Sequence, residues 1–128
     1  MILLLDTSAS LCRLSLIIDD VRFDEQWQAD RTLAKSLLGY IDQNLKQHDK
    51  TWSDIDGIGA FRGPGSFTGL RIGLTVMNTI ADSQSIPIVG GLGDDWQDEV
   101  IRKLRSGYND QIVMPFYGSE AHITSPRK

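Results

Sequence analysis

A single cysteine, Cys12, leaves no intramolecular disulfide and removes the small cross-linked folds of secreted proteins from consideration. Long hydrophobic runs are missing as well. The first of them, Ile2-Leu3-Leu4-Leu5, is far too short to cross a bilayer. No charged, apolar and small-residue leader pattern opens the chain, which predicts a cytoplasmic protein. Positive charge is in the minority: 13 Lys and Arg face 17 Asp and Glu, a net charge of −4. A scattered basic minority disfavours nucleic-acid binding by this chain alone. The two histidines, His48 and His122, have no Cys or His neighbour at ligand spacing, and no zinc or other metal site is expected. A Lys-Ser/Thr phosphate loop and a G-x-S-x-G nucleophile elbow are both absent from the pattern, so no catalytic or cofactor-binding residue is assigned. Trp27, Trp52 and Trp96 are not interleaved with basic residues, as a base-stacking platform would require.

What remains is an ordinary globular composition. At 128 residues, 41% hydrophobic and 23% charged, the chain suits one compact α/β domain. Ile2 to Leu5 reads as a central strand covered on both faces, ending at Asp6-Thr7-Ser8. Alternation from Leu11 to Ile18 predicts a half-buried second strand. Asp19-Asp20 turns the chain into a third strand, with Val21, Phe23, Trp27 and Ala29 on one face and Glu25 as a misfit. The period then changes. Leu33 to His48 repeats at three- and four-residue spacing and predicts a helix capped by Thr32 or Asp30. Asp54 to Phe61 reads as a fourth strand, with Gly57 and Gly59 where a neighbour must come close. Phe67 to Ser83 is a second helix with Ser66 as its N-cap, and Ile86 to Val89 a fifth strand. Past Gly90-Gly91 the pattern predicts a helix over Asp95 to Arg105 and a last strand over Ile112 to Tyr117, interrupted by Pro115, and the tail to Arg127-Lys128 reads as loose.

The second helix has an apolar arc of about 200°, wider than one sheet contact needs, and the first an arc of about 160°. Gly69 and Gly73 lie on one side of it, where a neighbouring helix could approach closely. A partner surface is therefore expected over Ala34, Leu38, Ile41, Leu45, Gly69, Gly73, Val76 and Ile80. The Gly63-Pro64-Gly65-Ser66 loop points a helix N-terminus at one spot, but Pro64 removes a donor, and a structural turn is the simpler reading.

The run Gly63-Pro64-Gly65-Ser66-Phe67-Thr68-Gly69-Leu70-Arg71-Ile72-Gly73, with Ile2 to Leu5 and Asp6-Thr7-Ser8 ahead of it and Pro87-Ile88-Val89-Gly90 behind, resembles the TsaB (YeaZ) family. The resemblance covers about residues 1–91. It implies the actin-like, ribonuclease-H-like fold, a mixed five-stranded sheet in the order β-β-β-α-β-α-β. It further implies a non-catalytic partner of a TsaD-type subunit in making threonylcarbamoyladenosine in tRNA, next to the anticodon. The pairing with TsaD would run through the helices at 33–48 and 67–83. TsaD-like proteins hold a metal with histidines along the first of these helices, and here it offers only His48.

Family members continue into a second, smaller domain. This chain is thus expected to be a short form, with residues 1–91 as the actin-like domain and 92–128 as a reduced C-terminal helix and strand. Asp6 stands where actin-like ATPases carry a phosphate-handling acid, which keeps a degenerate single-lobe ATPase or phosphotransferase as one rival reading. A free-standing homodimer using the same helix pair is the other.

Overall fold

The structure, a computed structural model, describes residues 1–117; the expectations for the tail, His122 and Arg127-Lys128 lie outside the described residues. The elements are β1 (Ile2–Asp6), β2 (Leu11–Ile18), β3 (Val21–Gln28), α1 (Leu33–Gln47), β4 (Gly57–Gly63), α2 (Phe67–Gln84), β5 (Ile88–Leu92) and α3 (Trp96–Arg105). One five-stranded sheet runs β3-β2-β1-β4-β5. The first three strands form an antiparallel meander, and β1, β4 and β5 are mutually parallel. Both the element order and the mixed sheet match the expected pattern.

The two faces of β1 are buried for different reasons. Leu3 and Leu5 join Leu14, Leu16 and Ile58 beneath α1 and α2, which contribute Leu37, Ile41, Leu45, Leu74 and Met77. Leu4 points the other way, into a smaller cluster with Ile17, Val89, Trp96 and Val100 under α3. Helix α3 gets this close because β4 and β5 are glycine-lined there: a methyl group placed on Gly59 would lie 2.5 Å from Leu4 Cδ2 and collide with Val100 as well. The close neighbour expected at Gly57 and Gly59 is therefore α3, Leu104 covering the first and Val100 the second.

Several boundaries and faces differ from expectation. Trp52–Asp54 is a 3₁₀ turn closed by Thr51 and Asp54 in a capping box, so β4 begins at Gly57 instead of Asp54. β5 starts later, at Ile88. β2 is covered on both faces, since Ser15 and Ile17 are buried on the α3 side. β3 is mostly exposed, Val21 included. Neither Asp30 nor Thr32 caps α1 with its side chain; the Thr32 hydroxyl donates to the Ala29 carbonyl instead. Ser66 does cap α2, accepting from the Gly69 N–H.

Residues 112–117 form no strand. Their backbone is held by side chains and single carbonyls: the Asn78 amide donates to the Val113 carbonyl and accepts from its N–H, and Arg62 Nε donates to the Met114 carbonyl. Just before them, Asn109 Oδ1 accepts from the Ile88 N–H and an Asp110 carboxylate oxygen from the Gly90 N–H. Residues 109–116 thus strap the outer side of β5 without pairing as a strand.

Cys12 is fully buried between these layers, and burial, helped by the nearby Asp6 charge, pushes its thiol from an ordinary 9.0 up to about 12. Tyr40 rises from 10.0 to about 12 for the same first reason, with Cys12 and Glu25 adding to it. Both groups stay neutral in the fold at pH values where the unfolded chain has already lost their protons. These two groups therefore leave stability unchanged from neutral pH to about 9 and lower it between about 9 and 12. Urea midpoints at stepped pH check this, and Cys12→Ala should remove the part of the fall that begins near 9.

Candidate protein-docking interface

The two helices on the larger sheet face carry most of the family-like motif and two exposed large apolar side chains, Leu38 and Phe67. α2 begins at the Gly63–Ser66 loop, which is pinned to the end of β1: the Ser66 N–H donates to the Ser8 carbonyl at 2.8 Å, and the Leu70 N–H to Ser66. One turn in, the Thr7 hydroxyl donates to the Gly69 carbonyl at 2.7 Å. The Thr7 side chain fills the space beside Gly73, where a methyl group would lie 2.8 Å from Thr7 Cγ2 and 2.9 Å from its Cβ. The glycine side of α2 is thus the side that rests on the sheet, and its occupant is Thr7.

That reverses part of the expected partner surface. Ile41, Leu45, Gly73 and Ile80 are buried in the chain's own core, and Gly69 is half-buried against the Thr7 carbonyl. Val76 is half-buried, and only Ala34 and Leu38 (53% exposed) look outward. The sequence signal was misassigned because a glycine pair four residues apart marks a close approach without saying whose.

The outward side is a groove of about 420 Å³ between α1 and α2, lined by Ala34, Phe67, Thr68, Arg71, Ile72, Thr75 and Val76. Phe67 is 55% exposed and shares this lining with the half-buried Ile72 and Val76. Sequence reasoning missed Phe67 as a surface residue because it sits in the first turn, where the wheel of α2 gives it few neighbours. Its position directly after the Ser66 cap was the available signal.

The motif's other polar residues are occupied locally. Asp6 Oδ1 accepts the Ser8 N–H at 2.8 Å, a turn that ends β1. His48 lies at the C-terminal end of α1 with its ring 4.4 Å from that of Phe23. α1 presents no further histidine, and among the described residues no three His, Cys, Asp or Glu side chains gather as a ligand set. The donor set does not fit the metal of TsaD-like proteins.

Comparison with known proteins decides the family. The profile described as "TsaD: tRNA N6-adenosine threonylcarbamoyltransferase" matches residues 27–90, half of the chain. The tRNA threonylcarbamoyladenosine biosynthesis protein TsaB of Haemophilus influenzae is 32% identical over 88 residues, 69% of this chain and 37% of that protein. The solved structure of YeaZ from Pseudomonas aeruginosa superposes with a TM-score of 0.66 at 30% identity, covering 70% of this chain and 42% of that one. The chain belongs to the TsaB/YeaZ family. Its sheet and helices have the actin-like, ribonuclease-H-like arrangement of the YeaZ structure. It spans about two-fifths of the length of these TsaB and YeaZ relatives. A tRNA N6-adenosine threonylcarbamoyltransferase of Listeria monocytogenes is also similar, 36% identical over 62 residues, 48% of this chain and 18% of that enzyme. The segment matched by the transferase profile runs from the end of β3 into β5 and so contains both α1 and α2. Among the described residues no helix is long and apolar enough to cross a membrane.

Proposed function

We propose that this chain is a non-catalytic, cytoplasmic partner subunit that docks to a TsaD-type catalytic subunit through the outer side of α1 and α2. It would thereby support threonylcarbamoyl transfer to a tRNA adenosine next to the anticodon. The observation that carries the reading is the apolar groove with its half-exposed Phe67, set in the segment shared with the transferase profile. Like segments of two chains pack readily about a two-fold axis, each covering the other's apolar groove. Residues 1–91 form the actin-like part of this assignment, and residues 92–128 an extension whose α3 rests on the same sheet. Contact with tRNA falls to the other subunits, in keeping with the net charge of −4. The Asp6 turn supports a structural role for that carboxylate and speaks against the single-lobe ATPase reading.

Co-expression with the TsaD-type protein of the same genome, followed by size-exclusion with mass measurement, should give a stable complex. The double variant Ala34→Glu with Leu38→Glu changes only exposed positions, so the fold should persist by circular dichroism. Two carboxylates desolvated in the contact should weaken the complex by about a hundredfold. A folded double variant that still co-elutes as wild type would overturn docking on this face.

A further inference from the structure

We infer that the strap beyond β5 completes the α1/α2 groove: Tyr117, the residue that follows it, is a positioning residue that holds the Phe67 ring in place as one of the groove's walls. The inference rests on the docking reading above and assigns a task within it to the chain past residue 91. Phe67 opens α2 directly after its Ser66 cap, so no preceding helical turn lies beneath its ring. It is 55% exposed and belongs to neither hydrophobic cluster of the core. Its ring meets Tyr117, with ring centres 4.6 Å apart and planes 30° from parallel, and Arg71, whose guanidinium carbon is 5.3 Å from the ring centre. Tyr117 is not part of the groove's lining, which places it behind the Phe67 ring and leaves the groove side open to an occupant.

The strap delivers Tyr117 from a fixed backbone. Asn78, in the second half of α2, is bonded to both backbone groups of Val113, and Tyr117 meets the first turn of the same helix four residues later. The strap therefore runs back along α2. Phe67 and Asn78 are eleven positions apart, about 16 Å of helix, whereas four extended residues span at most about 14 Å. The backbone between the two anchors has little slack, and the side chains bridge the difference. Within that stretch the Met114 carbonyl accepts from Arg62 Nε at 2.7 Å, and the Phe116 N–H donates to the Arg62 carbonyl at 2.8 Å. A side chain on Gly63 would strike the Phe116 carbonyl, so the first glycine of the loop ahead of α2 is also a seat for the strap. An exposed ring free to change rotamer must be ordered when a partner binds, and a ring already held is spared that loss.

The test uses the full chain and calorimetric titration with the TsaD-type protein of the same genome. Tyr117→Ala should keep a urea midpoint close to wild type yet weaken binding by about two- to tenfold, the range for one newly mobile side chain. Tyr117→Phe, which keeps the ring, should bind as wild type. In a Phe67→Ala background Tyr117→Ala should change nothing further, because Tyr117 acts through that ring. In the free protein with carbon-13-labelled phenylalanine rings, the Phe67 signal, identified by its loss in Phe67→Leu, should move in Tyr117→Ala and stay in Tyr117→Phe. An unmoved Phe67 signal overturns the inference, as does a Tyr117→Ala protein that binds as tightly as wild type or more so. Losses that add in the double variant overturn it too, since Tyr117 would then touch the partner itself. Docking on this face stands in all three cases as long as the Ala34→Glu, Leu38→Glu variant binds weakly. If that variant and Phe67→Ala both bind as wild type, the docking reading fails and takes the inference with it.

Discussion

Replacing Gly73 with glutamate is expected to leave the chain largely unfolded in purified form, with a circular dichroism spectrum that has lost its native helix signal. Gly73 faces inward, and its missing side chain is the space occupied by Thr7. Even a methyl group there meets two Thr7 carbons at under 3 Å, so Gly73→Ala should cost about 1–3 kcal/mol through overpacking. A glutamate adds an unpaired buried carboxylate at several further kcal/mol, comparable with the whole stability of about 5–15 kcal/mol of a small domain. Urea denaturation of Gly73→Ala in the wild-type and Thr7→Gly backgrounds separates the causes. The alanine penalty should shrink when Thr7 is gone, because the two residues compete for one volume. A Gly73→Glu protein with a wild-type urea midpoint would show that Thr7 does not pack there.

Trp96→Ala should be nearly as damaging, at about 3–5 kcal/mol, although Trp96 lies past residues 1–91, the proposed actin-like part. Its side chain is 6% exposed, belongs to the cluster with Leu4, Ile17, Val89 and Val100, and lies 5.5 Å, ring to ring, from Phe61. Without it the second face of β1 and β5 opens to water. Ile112→Ala, at a residue 64% exposed, is the control and should stay within about 0.5 kcal/mol. Thermal and urea midpoints for the two variants decide the matter. Near-equal midpoints would mean that α3 is an ornament on a sheet already stable without it.

Much of the fold was legible because its signals are local. Alternation in β2, the three-and-four spacing of α1, the Ser66 cap and the eleven-residue motif each report on a few neighbouring residues, and each led to the right element. The candidate site was legible only in part. The wheel of α2 showed too much apolar surface, which is correct, but the direction of each sector depends on what the sheet brings beneath it. Thr7 lies 66 positions before Gly73 in the chain, and nothing local announces that they touch. The glycines therefore suggested an outer seat for a partner helix, while the true outward residues, Phe67 and Arg71, were read as motif and polar strip. The segment after Val113 was unreadable for a related reason: its backbone is satisfied by the Asn78 and Arg62 side chains, a pattern with no periodicity in sequence.

The strap over β5 also governs how this protein behaves in a crowded solution. An open strand border is a template for fibre growth, since its free N–H and carbonyl groups recruit any extended chain. On one flank of this sheet Asn109 and Asp110 already occupy the β5 amides of Ile88 and Gly90. On the other, β3 presents Arg22, Asp24 and Glu25 along an exposed strand, and a second such strand laid parallel and in register brings like charges together. Ribbon-like self-assembly is blocked at both ends by different chemistry, so aggregation resistance should depend on Asn109 and Asp110 at one border and on charge at the other, and high salt should weaken only the second.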